Sequence, residues 1–396
     1  MNLYRGIFPL LLFSIPAVLR AEPPLPVAKP GEVGASSERL DRIDAVVKQA
    51  LDHGDAPGAV VLITHRGHII FRRAYGLRSK QPAETPMTVD TIFDLASLTK
   101  PLATASAILL LVEQGKLRPS DPVSRYLPAF AAKGKDKVTV EQLLLHTSGL
   151  IPDNPVSDYQ DGRDKAIQRI CDLEPASEPG AKFAYSDLNY IILGELVEKI
   201  SGKPLDEFAK ENLFTPLGLT TMGFKPADSL NDRIAPTEKR DGKWLIGDVH
   251  DPRSALLGGV AGHAGLFATA DELAVCAEML LDGGVWKDRR ILSDLTVKRL
   301  TTPHPVPLAN GGLGQRTWGW DVDTPYSSNR GELFAPGAGF GHTGFTGTSL
   351  WIDHELDVYV VLLTNRVHPT RENQALPQLR PRFHDAVLHA LRGARI

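Results

Sequence analysis

The chain of 396 residues has only two cysteines, Cys171 and Cys276. One pair of thiols is far from a disulfide-built scaffold, and Cys276 in LAVCAEMLL reads as a small apolar residue on a helix. Buried free thiols are therefore favoured over a bridge. No His-Glu-x-x-His pair or Cys/His cluster is present, so no zinc site is expected. There is no Gly-x-Ser-x-Gly elbow, which disfavours an α/β-hydrolase, and no phosphate-cradling glycine motif precedes a helix. Neither a metal nor a cofactor is implied. Basic residues are not in excess, with 44 Lys+Arg against 47 Asp+Glu and a net charge of -3. Nothing marks a nucleic-acid partner.

Long apolar runs are also missing, apart from one. Gly6 to Leu19 is apolar, follows Arg5, and ends near Ala21 before a Pro-rich stretch. Fourteen residues fall short of the ~20 that span a bilayer, so residues 1–21 read as a signal peptide and the mature protein as secreted or periplasmic. Once this segment is removed, no stable membrane span is expected.

The remaining chain reads as α+β. A helix should start at Ser36/Ser37, with Leu40, Ile43, Val46, Val47, Ala50 and Leu51 as its apolar stripe. Ala59–Thr64 and His68–Tyr75 form a hairpin across Arg66-Gly67. Thr348–Ile352 and Val358–Thr364 mirror it near the other end, before a helix at about 382–392. Between them the pattern is helical, at 98–115, 139–146, 188–201, 204–213 and 270–282. Neither hairpin can bury its apolar surface alone. The expectation is one antiparallel sheet built from both chain ends and flanked by helices, from residues 22–90 and 311–396. Residues 91–310 form a mainly helical domain, with the active site between the two parts.

Three places carry chemistry. Ser97-Leu98-Thr99-Lys100 opens a helix, with Pro101 in its first turn, where a missing N–H costs nothing. A helix N-terminus favours negative charge developing on Ser97, and Lys100 lies three residues on, along the same face. A serine hydroxyl needs a base, and a desolvated lysine can supply one. Alone the pattern is weak, since about one such spacing is expected by chance in a chain this long. Tyr185-Ser186-Asp187 precedes the next helix, and a tyrosine near a lysine can relay the serine proton. His342-Thr343-Gly344 enters the strand TGTSLWI, where a glycine lets a ligand approach the backbone. Each also has a plain structural reading: a capping serine, a packed aromatic and a glycine-rich strand entry.

In this order and wide separation, the three elements resemble the signature motifs of the serine β-lactamase and penicillin-binding-protein superfamily. The likeness is closest to the class C β-lactamase-like branch and covers about residues 35–395. FDLASLTKP (from Phe93) and LLLHTSGL (Leu143–Leu150) are also similar to that branch. The resemblance implies a β-lactamase/transpeptidase-like fold and acylation of Ser97, with Lys100 and Tyr185 shuttling its proton. The backbone N–H groups of Ser97 and Phe345 would form the oxyanion hole, and His342, Thr343 and Gly344 would hold the substrate. One departure stands out: the second motif ends in Asp187 where the family usually has Asn. An ionised carboxylate cannot donate a hydrogen bond. Either Asp187 accepts one from the substrate, or Asn189 takes over.

The passages His250–Arg253, Gly258–Thr269 with His263, and Thr364–Pro369 with Arg366 resemble those of DD-peptidase-like proteins and an N-acetylmuramyl-L-alanine amidase. They make Arg253, His263 and Arg366 candidate substrate contacts. The expected activity is cleavage of an amide in cell-wall-derived peptides or muropeptides, of DD-carboxypeptidase or muramyl-L-alanine amidase type. An esterase or β-lactamase on the same scaffold is the alternative. A non-hydrolytic sensor that binds penicillin or wall fragments is the rival from another class.

Overall fold

An apolar strand from the N-terminal part of the chain finds its partner near the other end. The computed structural model describes residues 22–372 and 376–391, and the expected signal peptide lies outside them. The first part supplies β1 (Gly58–His65), β2 (His68–Ser79) and β3 (Thr85–Pro86). The last supplies β4 (His304–Pro307), β5 (Leu313–Arg316), β6 (Asp321–Asp323), β7 (Gly339–Thr343), β8 (Ser349–Asp353) and β9 (Val358–Thr364). They form one antiparallel sheet in the order β4-β5-β6-β7-β8-β9-β1-β2-β3. The strands β1 and β9 join the two chain ends, with Val60 opposite Leu363 and Leu62 opposite Val361. The sheet begins with β4, ahead of residue 311.

Every residue of β1 and β9 is buried, because both faces of the sheet centre are covered. Side chains alternate between faces along a strand. Val60, Leu62, Tyr359, Val361 and Leu363 pack into the larger core against the helical region. Ala59, Val61, Ile63, Val358, Val360 and Leu362 pack on the opposite face. That second face is closed by α1 (Ser37–His53), with Leu40, Ile43, Val47 and Ala50 buried, and by a C-terminal helix. Ser36 caps α1 by accepting from Arg39 N–H. The C-terminal helix spans Leu376–Leu391 and contains Pro381. It therefore starts earlier than the expected 382.

The helical region holds several helices, three of which are buried along most of their length. The chain runs from a 3₁₀ turn (Ala96–Leu98) through a π turn (Lys100–Ala105) into α2 (Ser106–Glu113). It continues to α3 (Asp187–Ser201) and α4 (Ala270–Leu281). Among the described residues, Ala96–Glu113 is long and apolar enough to cross a membrane, but 83% of it is buried inside the protein. It is a core helix. Both cysteines are free and buried.

Candidate active site

The nucleophile candidate sits on a short, specified turn. Phe93–Asp94 pairs with Leu266–Ala268, which anchors the chain just before Ser97. The buried Asp94 carboxylate accepts from Ala96 N–H at 2.8 Å and from His250 N–H at 2.7 Å. Burial raises its pKa to about 6, against the pull of these two bonds. Ala96 takes φ 47°, a left-handed conformation uncommon for a residue with a Cβ. Thr99 Oγ1 donates to Ala96 O at 2.6 Å and accepts from Leu266 N–H at 3.1 Å, closing the turn. The π turn that follows carries Lys100 inward, and such turns recur at functional sites.

Lys100 is fully buried and binds three groups at once. Its Nζ donates to Ser97 Oγ at 3.0 Å and to His263 O at 3.1 Å, and pairs with Asp187 Oδ1 at 2.6 Å. The expectation that desolvation leaves this lysine neutral, and so free to act as a base, meets an opposing influence here. Burial alone would lower its pKa, but the Asp187 carboxylate and the nearby Tyr185 outweigh burial and raise it. Lys100 keeps its proton as one half of an ion pair.

Tyr185 lies over this group, with its ring centroid 5.0 Å from Lys100 Nζ. It stacks on Tyr326 at 4.8 Å and on His146 at 4.5 Å. Its hydroxyl is buried without a well-aligned hydrogen bond. His146, from the LLLHTSGL passage, is held by Ser186 N–H at 3.1 Å and Asn189 Nδ2 at 3.2 Å. Burial, with the charges of Arg316 and Lys100, drives its pKa well below the usual histidine value. Asn189 also accepts from Ser148 Oγ at 2.5 Å and is completely buried. It braces His146, which packs against Tyr185, and has no exposed surface of its own, while Asp187 pairs with Lys100 at the pocket wall.

The strand β7 forms the opposite wall. His342 Nδ1 lies 2.8 Å from Thr343 O, and burial beside Arg316 and Lys100 holds this imidazole neutral. Gly344 is required by close approach: a Cβ there would overlap Thr348 Oγ1 and Leu95 O. Thr346 and Thr348 hydroxyls tie this turn to Asp94 O and Leu95 O at 2.7 and 3.0 Å. The strand is thereby clamped to the segment that carries Ser97. Phe345 is half exposed, stacks on His250 and lies under Arg366, whose Nε donates to Phe345 O at 2.8 Å.

Ser97, Tyr185 and Phe345 separate two pockets. One, of about 250 Å³, is lined by His342, Thr343, Gly344, Arg316, Arg366 and Arg380, among others. The other holds Asp153, Asp187, Asp251, Arg253 and His263. In it His263 Nε2 lies 2.9 Å from Asp251 Oδ1. Burial opposes the Asp251 charge, but His263 and Ser254 N–H hold its pKa well below the usual range. Arg253 lines this pocket with Nε and Nη2 turned to Asn154 O, at 3.0 and 2.7 Å, and Nη1 3.6 Å from Asp153 Oδ1. Asp187, Asp251 and His263 offer ligand atoms within 4.8 Å of one another. The Lys100 ammonium on Asp187 opposes a cation there.

The site thus comprises a serine, lysine and tyrosine held between an antiparallel sheet and a helical region. The chain belongs to the β-lactamase family, whose pattern matches residues 43–382, and it is a serine hydrolase of that superfamily. Among particular relatives, it is 34% identical to a protein of Escherichia coli (strain K12) named "Putative D-alanyl-D-alanine carboxypeptidase". That match covers 90% of this chain and 89% of the relative. It is also similar to EstCE1, a hydrolase with promiscuous acyltransferase activity, at 26% identity and a TM-score of 0.71, covering 88% and 98% of the two chains. A penicillin-binding-protein homologue from Caulobacter crescentus shares the fold, with a TM-score of 0.72 at 23% identity, covering 90% and 99%.

Proposed function

We propose that this chain is an exported amidase that acylates Ser97 and cleaves cell-wall-derived peptides or muropeptides. The observation that carries the reading is the Lys100 ammonium, which binds Ser97 Oγ, Asp187 and a backbone carbonyl together. Its hydrogen bond to Oγ fixes the hydroxyl and steadies the charge that develops as the Oγ–C bond forms. As the Oγ–C bond forms, Lys100 Nζ hands one proton to the Asp187 carboxylate and takes the serine's in its place. The Tyr185 hydroxyl then gives its proton to the leaving amine as the C–N bond breaks and regains one from Lys100, which recovers its own from Asp187. Water then cleaves the Oγ–C ester and restores the serine. The N–H groups of Ser97 and Phe345 would hold the oxyanion, and His342 and Thr343 the substrate.

A wall substrate is supported by the carboxypeptidase name of the 34% identical relative and by polar side chains on both sides of Ser97. The apolar run at residues 6–19 would direct export to the compartment where such peptides occur. An esterase is the second reading, favoured by the likeness to EstCE1. The deciding experiment compares kcat/KM for N-acetylmuramyl-L-Ala, a D-Ala-D-Ala peptide, nitrocefin and short p-nitrophenyl esters. A wall-derived amide should lead. Leadership by nitrocefin or an ester would overturn the substrate, and an acyl adduct on a residue other than Ser97 would overturn the mechanism.

A further inference from the structure

Each of the two N–H groups expected to hold the oxyanion belongs to a peptide whose carbonyl is held from behind by a side chain. The Ser97 N–H shares its peptide with Ala96 O, and that oxygen accepts from Thr99 Oγ1 at 2.6 Å. Thr99 is fully buried, and its hydroxyl oxygen accepts in turn from Leu266 N–H at 3.1 Å. The Phe345 N–H shares its peptide with Gly344 O, which accepts from Arg380 Nη2 at 3.2 Å and from Gly347 N–H at 3.1 Å. The same Nη2 donates to Thr348 O at 3.0 Å, so the guanidinium is fixed across the turn. Arg366 differs: its Nε meets Phe345 O, the carbonyl of the next peptide. Among the described residues, neither the Ser97 N–H nor the Phe345 N–H has an acceptor of its own.

A peptide group is one conjugated unit. A donor on its oxygen draws electron density from the nitrogen, leaves the N–H more positive and strengthens the bond that this N–H makes. Thr99 does this as the last link in a chain of hydrogen bonds. Arg380 does it with a full charge, and charge-assisted bonds are about twice as strong as neutral ones. Both act at the place where negative charge develops on the acyl oxygen.

We propose that Thr99 and Arg380 are positioning residues that polarise the oxyanion site through the backbone, one for each N–H. This rests on Ser97 being acylated and on its N–H and that of Phe345 receiving the carbonyl oxygen, but not on which amide or ester is cleaved.

The test reads the acyl-enzyme itself. Incubation with p-nitrophenyl acetate, labelled with heavy carbon at the ester carbonyl, should leave an acetyl group on Ser97. Infrared difference spectra should show its C=O stretch lowered by the two N–H groups. Thr99→Val and Arg380→Gln should each raise that frequency, and the double variant should raise it further. Thr99→Ser and Arg380→Lys keep the hydroxyl and the charge, and should hold the band nearer its unaltered place. Only an acetyl group remains at this stage, so contact with the rest of a substrate cannot move the band, and only folded protein acylates. Removing an oxyanion donor outright costs about 10²–10³ in rate, and hydrogen bonds in series strengthen one another by about 10–30%. That share corresponds to about two- to eightfold, so kcat for this ester should fall by that factor in Thr99→Val and in Arg380→Gln, with KM unchanged. A band that stays in place in both variants overturns the proposal while the acyl-enzyme stands. Mass spectrometry of the same samples separates the two ideas: no acetyl group on Ser97 overturns the hydrolase reading, and this proposal with it.

Discussion

Replacing Asp187 by Asn would leave Lys100 fully buried with no carboxylate beside it. In the unaltered protein the Lys100 pKa is raised, so the pair's contribution is complete below the unfolded value of about 10.4 and is lost only as pH rises through the higher folded value. Between pH 7 and 9 that contribution is flat. In Asp187→Asn, burial becomes the dominant influence and the amine sheds its proton on folding. Forcing a lysine neutral costs about 1.4 kcal/mol for each pH unit below 10.4, which is about 5 kcal/mol at pH 7 and about 3 at pH 8. These are ceilings, and they match the 3–5 kcal/mol expected from breaking a buried pair. The destabilisation should therefore shrink with rising pH, by up to about 1.4 kcal/mol per unit. Urea unfolding of both proteins at pH 7, 8 and 9 measures the gap directly. A gap that stays constant across that range would refute the claim that Asp187 holds the Lys100 proton.

Lys100→Ala and Tyr185→Phe should each lower turnover at least 10²-fold, the scale of an acid–base group, and near-normal turnover in either would send the proton elsewhere. Gly344→Ala should cost activity far more than stability, because the new Cβ pushes β7 off the segment that carries Ser97; steady-state kinetics beside a thermal melt would show it. Reductant should leave the melting temperature unchanged, since Cys171 and Cys276 are free. A downward shift would reveal a disulfide.

Much of this arrangement is legible in the residues themselves. The two hairpins announce themselves by β-branched runs that cannot be buried alone, and Ser97, Tyr185 and His342 by their companions. Chemistry carried by single residues was harder to read. Arg316 sits in QRTWGWD, and nothing local says that a lone arginine there is buried beside Asp321. Arg380 is followed by Pro381, an ordinary signal for a helix start, yet the helix runs through it. The short strands β4 to β6 carry Pro, Gly and Asp and take their conformation from neighbours across the sheet rather than from propensity. Asp187 could be flagged as a departure from the family pattern, but not assigned a partner: its pairing with Lys100 depends on how α3 meets the turn after Ser97.

The pairing of β1 with β9 also governs how the molecule comes into being. A chain made from its N-terminus exposes Gly58–His65 long before Val358–Thr364 has been synthesised, so the sheet lacks its central seam until synthesis is almost complete. Contacts this distant in sequence make for slow closure. A polypeptide stopped short of Thr364 would present β1 as a long, bare, apolar edge, the kind of surface on which chains stick to one another. Nonsense or frameshift alleles that end the chain before this strand, and so remove the C-terminal helix as well, should therefore yield aggregates, not a weakened enzyme.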